Sequence, residues 1–411
     1  MNNRIKLYFA NFLVMTAGLW MASCSASDDN LVSDKGADVA KNEKVLTLRI
    51  NTGATSFGSR TTDITTDPGA AAENTINRLT IGIFSSDGNS VKFLQDLNSG
   101  ATGSNSFTTT ATSTTATIVA SALAKDDKVL VAVNAPANTF VGVSNVAGFN
   151  AKADQAVAAL TYTAAAEKEN ATEENNNIPM YGESVLATTD NKNFTSTVNV
   201  IHLLSKVSLE SLYVDFANSG SYSTASFIPT TIFLINEPDA LLFNKQAWAG
   251  TGNLLNGFAQ TDKLHGTYKE FLATKTLAEK KLSGVHQGNA QSNFDTKCYF
   301  YTMPNSEVQT GGKNTKLVVA GKFKSNTTSP EETVYYPVAL NAKYEENSNS
   351  YVAAETGTDV YKVYPNKNYK CTVVIRAKGA ASPFDNLDPK KATITVTVSP
   401  FTDVTQTTVF K

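Results

Sequence analysis

Apolar side chains at every second position recur along this chain, and that period confines most of it to half-buried β-strands. In Lys44-Val45-Leu46-Thr47-Leu48-Arg49-Ile50-Asn51 the residues Leu46, Leu48 and Ile50 share one face. Leu79-Thr80-Ile81-Gly82-Ile83-Phe84 repeats the pattern before a turn at Asp87-Gly88. Further strands are predicted over 115–120, 128–134, 183–187, 195–201, 204–214, 230–235, 297–303, 315–323, 333–340, 369–377 and 392–399. Such spacing predicts an all-β chain built of β-sandwiches. Helix is expected only as short excursions over 151–160 and 268–282. The polar tracts 98–114 and 164–177 bury too little apolar area to offset their ordering entropy, so they are expected as surface loops.

With 411 residues the chain can bury two cores of ordinary domain size. The boundary falls near Val200, giving β-sandwiches over 61–200 and 201–391. No internal sequence repeat is evident. Lys+Arg of 35 against Asp+Glu of 37 leave a net charge of -2, so no basic field attracts nucleic acid.

Catalytic and metal-binding patterns are missing from the sequence. His202, His265 and His286 are far apart and have no metal-ligand spacing. There is no G-x-S-x-G elbow, and Gly311-Gly312-Lys313-Asn314-Thr315 lacks the glycine spacing of a phosphate loop and reads as a hairpin turn. The acidic pairs Glu173-Glu174, Glu331-Glu332 and Glu345-Glu346 read as solvated charges, and Trp248 as an aromatic packed on its own domain. The expectation is therefore a protein that is not an enzyme and uses no cofactor, metal or catalytic residue. Cys298 and Cys371 lie in strand-like stretches and are open to either reading, a disulfide or two buried thiols.

The N-terminus reads as an export signal over 1–23. Arg4 and Lys6 precede an apolar run from Leu7 to Met21, and small residues lead to Cys24. Met21-Ala22-Ser23-Cys24 resembles the lipobox of bacterial lipoproteins, in which the thiol carries lipid; an ordinary secretory signal is the alternative. The polar stretch 25–42 reads as a tether.

The two ends share a pattern. Thr393-Ile394-Thr395-Val396-Thr397-Val398 sets Ile394, Val396 and Val398 at the spacing of Leu46, Leu48 and Ile50, so one segment can occupy the other's groove. Between the first strand and the next lies a small, polar stretch in which Arg60 is the natural target of a trypsin-like protease. Arg49 and Arg78 fall inside predicted strands and should resist cutting. An ordinary last strand of its own sandwich is the alternative reading of 392–399.

The lipobox at Cys24, the strand 44–51 followed by Arg60, and Asn77-Arg78-Leu79-Thr80-Ile81-Gly82-Ile83-Phe84 together resemble the fimbrillins of Bacteroidales, subunits of the type V pilus. Val129-Leu130-Val131-Ala132-Val133-Asn134, Ile178-Pro179-Met180-Tyr181-Gly182-Glu183 and the ending Ala392 to Phe401 extend the resemblance over nearly the whole chain. The resemblance implies two tandem transthyretin-like β-sandwiches and a precursor lipid-anchored in the outer membrane. It also implies removal of 24–60 by an arginine-specific protease, and a homopolymer in which 392–411 of the next copy fills the vacated groove. Phe401 stands where family members commonly have Trp, and the tail 404–410, ending in Val409 and Phe410, is expected to continue along a second groove. Accessory tip and anchor subunits are the implied partners, and a cell-surface fimbria the implied location. A tip adhesin of the same pilus and a glycan-binding surface lipoprotein are the competing readings.

Overall fold

The computed structural model describes residues 43–52, 73–110, 113–154, 177–216, 220–238, 240–244, 254–257, 274–276, 279–284, 290–294, 298–306, 312–387 and 392–400. In chain order the strands begin with β1 Lys44–Asn51, β2 Arg78–Phe84, β3 Val91–Asn98, β4 Ser106–Thr109, β5 Thr114–Ala120 and β6 Lys128–Val133. After the helix α1, Val146–Asn150, come β7 Ala153–Asp154, β8 Met180–Val185, β9 Ala187–Thr188, β10 Asn193–Asn199 and β11 Ile201–His202. The second half holds β12 Ser205–Val214, β13 Ser226–Ile235, β14 Glu237–Pro238, β15 Leu241–Leu242, β16 Leu254–Leu255, β17 Thr274–Thr276, β18 Leu282–Ser283 and β19 Asn293–Phe294. It closes with β20 Cys298–Thr302, β21 Lys316–Lys324, β22 Glu332–Ala339, β23 Lys343–Glu345, β24 Ser350–Val352, β25 Lys367–Ile375 and β26 Ala392–Pro400.

The chain is all-β. One sheet, ordered β4-β5-β1-β10-β9, packs on a second, β11-β8-β6-β2-β3, around Leu46, Leu48, Ile81, Ile118, Val131 and Val198. A further pair follows: β19-β12-β25-β26, with β20 also on β12, and β17-β13-β21-β22, with β18 also on β13. Sheet membership changes between His202 and Ser205. The two sandwiches repeat a topology that their sequences do not. β1 runs antiparallel to β5 and parallel to β10, and β12 likewise runs antiparallel to β20 and parallel to β25.

Strands β2 and β6 are buried at almost every position, because a second apolar layer covers the outer face of their sheet. Their near-continuous apolar runs suit burial on both faces. Phe149 of α1 forms the centre of that layer, stacked on Phe140 at 4.1 Å and edge-on to Phe84 at 6.0 Å, while Phe140 meets Phe243 of the second half at 5.3 Å. Gly82 is required beneath it, since a Cβ there would fall 2.7 Å from the Phe84 ring and 3.1 Å from that of Phe149. Beside this cluster β7 pairs with β15, Leu241 opposite Asp154, so main chain also joins the two halves. Replacing the fully buried Phe149 by Ala is expected to cost about 3–5 kcal/mol in denaturant unfolding, the usual range for a truncated core aromatic.

The structure corrects several expectations. The described part of 151–160 carries β7, and that of 268–282 carries β17 and the start of β18, where helices were expected. Helix occurs instead at α1, capped by the Asn145 side chain accepting from the Gly148 N–H at 2.7 Å. Within 98–114, expected as loop, Ser106–Thr109 forms an edge strand on β5. Residues 312–315 do not close a hairpin, because β20 and β21 belong to different sheets. Cys298 and Cys371 face Leu209 from opposite sides of β12. Two strand spacings put their Cα atoms about 10 Å apart, beyond the ~7 Å reach of a disulfide. Cys371 is accordingly a free, buried thiol whose pKa is raised, chiefly by desolvation.

Candidate functional site

The strand predicted to be exchangeable lies in the middle of its sheet. Leu46 and Leu48 are fully buried and Ile50 nearly so, while Thr47, Arg49 and Asn51 face solvent. On one side Leu46 lies opposite Ile118 and Leu48 opposite Ala116 of β5; on the other Leu46 lies opposite Phe194 and Ile50 opposite Val198 of β10. Both ends are fastened. The Lys44 ammonium donates to the Leu123 carbonyl at 2.8 Å, and the Val200 N–H donates to the Asn51 carbonyl at 2.9 Å. Lifting β1 away would open a slot eight residues long with an unpaired row of backbone groups on each wall.

Strand β26 has the opposite situation. Among the described residues it pairs antiparallel with β25 alone and forms the edge of its sheet, setting Val396 opposite Cys371, Ile394 opposite Val373 and Val398 opposite Tyr369. Val396 is buried, and Thr395 and Thr397 are exposed. The alternation read from the sequence is therefore present, and in this chain it serves the second sandwich. Leu46, Leu48 and Ile50 sit in a different sheet from Ile394, Val396 and Val398, so the single chain does not bring the two sets together. Cys24, Arg60, Phe401, Val409, Phe410 and Trp248 lie outside the described residues. Arg78, an alternative cut site, is held at the start of β2, its guanidinium donating to the Asn98 side chain at 3.0 Å and to the Ala135 carbonyl at 3.3 Å.

Sequence reasoning missed a buried polar cluster where the sandwiches meet. The Glu73 carboxylate accepts from the Lys206 ammonium at 3.0 Å and from the Tyr301 hydroxyl at 2.6 Å. His202 approaches the Glu73 carbonyl through Nε2 at 3.0 Å and Asn366 through Nδ1 at 3.2 Å. The cross-strand pairing of Lys206 with Tyr301 and contacts spanning 129 to 228 residues assemble it, and neither leaves a local signal. Burial pushes His202 down from 6.5 to about 4, with Lys206 adding to the effect and the bonds to Glu73 and Asn366 opposing it. The imidazole takes up its proton more readily in the unfolded chain, so its stabilisation is present above pH 6.5 and is lost as pH falls through about 4. The expected size is about 3 kcal/mol. It is read as the difference between the parent and His202→Gln in chemical unfolding across that window. The difference is needed because Glu237, which burial pushes up to about 8, titrates with the opposite sign. Among the described residues no group of three or more His, Cys, Asp or Glu is placed to hold a metal ion.

Residues 45–210 match the family described as the major fimbrial subunit protein (FimA), a span running from β1 through the first sandwich into β12. Over that span, which is less than half of its length, the chain is similar to that family. Solved structures resemble the chain over most of its length. A fimbrilin (FimA) from Porphyromonas gingivalis W83 is 15% identical, with a TM-score of 0.56 over 88% of this chain and 98% of its own. A candidate cell adhesion protein from Parabacteroides distasonis ATCC 8503 is 14% identical, with a TM-score of 0.55 over 87% and 99%. One from Bacteroides eggerthii DSM 20697 is 17% identical, with a TM-score of 0.53 over 87% and 96%. At such identities the likeness is one of fold. No curated protein matches the chain at a significant level.

Proposed function

We propose that the chain is a stalk subunit that polymerises by strand exchange. The precursor is held in the outer membrane by lipid on Cys24, an arginine-specific protease cuts after Arg60, and residues 24–60 leave with β1. The slot between β5 and β10 then receives β26 of another copy. An incoming strand running in the direction of β1 meets β5 antiparallel and β10 parallel. The tail through Phe401, Val409 and Phe410 continues beyond it, and accessory tip and anchor subunits complete the fimbria.

The observation that carries this reading is the unequal pairing of two strands of like pattern and similar length. β1 has a neighbour on each side, and β26 has one. Moved into the slot, β26 exchanges one ladder for two, and each added hydrogen bond contributes roughly 0.5–1.5 kcal/mol net. Burial in the slot contributes roughly 1.5–3 kcal/mol for each side chain not already buried, and Val396, already buried in the second sandwich, adds none. These gains offset the cost of immobilising a second molecule, on the order of 4–15 kcal/mol. The position of β26 at a sheet edge, with no strand outside it among the described residues, favours the stalk over the tip role.

Mass determination of the surface form tests the proposal. A chain beginning just after Arg60 and free of lipid is the expected result. A lipid-bearing chain beginning at Cys24 in assembled fibres contradicts it.

A further inference from the structure

Glu73 follows the end of β1 by only 22 residues, yet its side chain is held by the other sandwich. Lys206 of β12 and Tyr301 of β20 are cross-strand neighbours, and together they grip one carboxylate oxygen at 3.0 and 2.6 Å. His202 holds the main-chain carbonyl of the same residue at 3.0 Å. All four residues are at most 2% exposed. Immediately downstream the chain is pinned again, this time to the first sandwich. The Asn134 side chain, at a residue with φ of 55°, accepts from the N–H groups of Asn77 and Arg78 at 2.9 and 3.3 Å and donates to the Thr75 carbonyl at 2.8 Å. Ile76 between them is buried in the first core.

We infer that Glu73 is a positioning residue that stops the withdrawal of β1 from spreading into β2. This role rests on the reading that residues up to 60 leave the subunit. Cutting creates a new chain end, and free ends fray until something holds them. Glu73 cannot follow the departing strand without breaking its buried ion pair with Lys206, which a folded protein strongly resists. The first sandwich thus loses β1 from one sheet and keeps β2 fixed in the other, so the slot stays shaped for a new strand.

Hydrogen exchange read by mass spectrometry tests this in full-length chains carrying a site for a sequence-specific protease in place of residues 58–62. The comparison is between cut and uncut protein, for the parent, Tyr301→Phe and Lys206→Met. In the parent, amides of 73–84 should exchange equally slowly before and after the cut. In both variants they should accelerate at least tenfold more after the cut than before it. Tyr301→Phe leaves the ion pair in place and keeps the comparison available if Lys206→Met does not fold. Loss of protection in the parent on cutting, or equal acceleration in cut and uncut variants, would overturn the assignment. Retention of residues 24–60 on the cut chain, seen as the larger mass, overturns strand release itself and removes the anchor's task with it.

Discussion

Removing residues 392–411 is expected to leave a folded, exported chain that does not polymerise. Among the described residues β26 is an edge strand on β25 alone, so its loss leaves β19, β20, β12 and β25 still joined in one sheet. Val396 is buried, opposite the buried Cys371. The lost ladder, at roughly 0.5–1.5 kcal/mol per hydrogen bond, and the lost burial of Val396, at roughly 1.5–3 kcal/mol, are offset by ordering entropy of about 1–2 kcal/mol for each residue no longer fixed, so the net loss is a survivable share of the usual ~5–15 kcal/mol. Circular dichroism should therefore show a β-rich protein with a lowered melting temperature, and electron microscopy no fibres. If the second sandwich instead unfolds outright, β26 is an integral strand of its own domain, and the donor role fails.

Arg60→Ala is expected to abolish assembly and leave a lipid-bound precursor with β1 in place. Withdrawing an uncut β1 exposes Leu46, Leu48 and Ile50, at about 1.5–3 kcal/mol each, before either ladder is counted. That alone keeps the open state below about one part in a thousand at 1.4 kcal/mol per tenfold. A covalently attached strand also returns to its slot at high effective concentration, whereas a cut one diffuses away and meets competition from the donor. Fibre yield should fall to background, and the precursor should be recovered from membranes at its full lipidated mass. Normal fibres built from the variant would place the processing point elsewhere.

Much of this fold was legible because the strands carry their faces in their spelling. Leu46-Thr47-Leu48-Arg49-Ile50 and Thr395-Val396-Thr397 alternate in the structure as they do in the sequence. The apolar runs of β2 and β6 were readable as strands, but the covering layer of Phe140, Phe149 and Phe243 was not, since Phe243 joins it from a distant part of the chain. Helices were expected at 151–160 and 268–282 from local composition, and main-chain pairing with β15 and β13 overrode it where those residues are described. Parallel partners posed a different difficulty. Nothing local joins Leu46 to Phe194 or Val207 to Tyr369, because parallel neighbours are linked only through the long crossover between them. The Glu73 cluster was invisible for the same reason, and a lone Glu in a polar stretch reads as solvated until Lys206 and Tyr301 are seen around it.

The central claim concerns which strand lies between Thr114–Ala120 and Asn193–Asn199 in an assembled fibre. A density map of purified fibres, at a resolution that distinguishes Ile394, Val396 and Val398 from Leu46, Leu48 and Ile50, answers it directly. The account predicts the tail of a neighbouring subunit in that slot; each copy's own Lys44–Asn51 still seated there would contradict it.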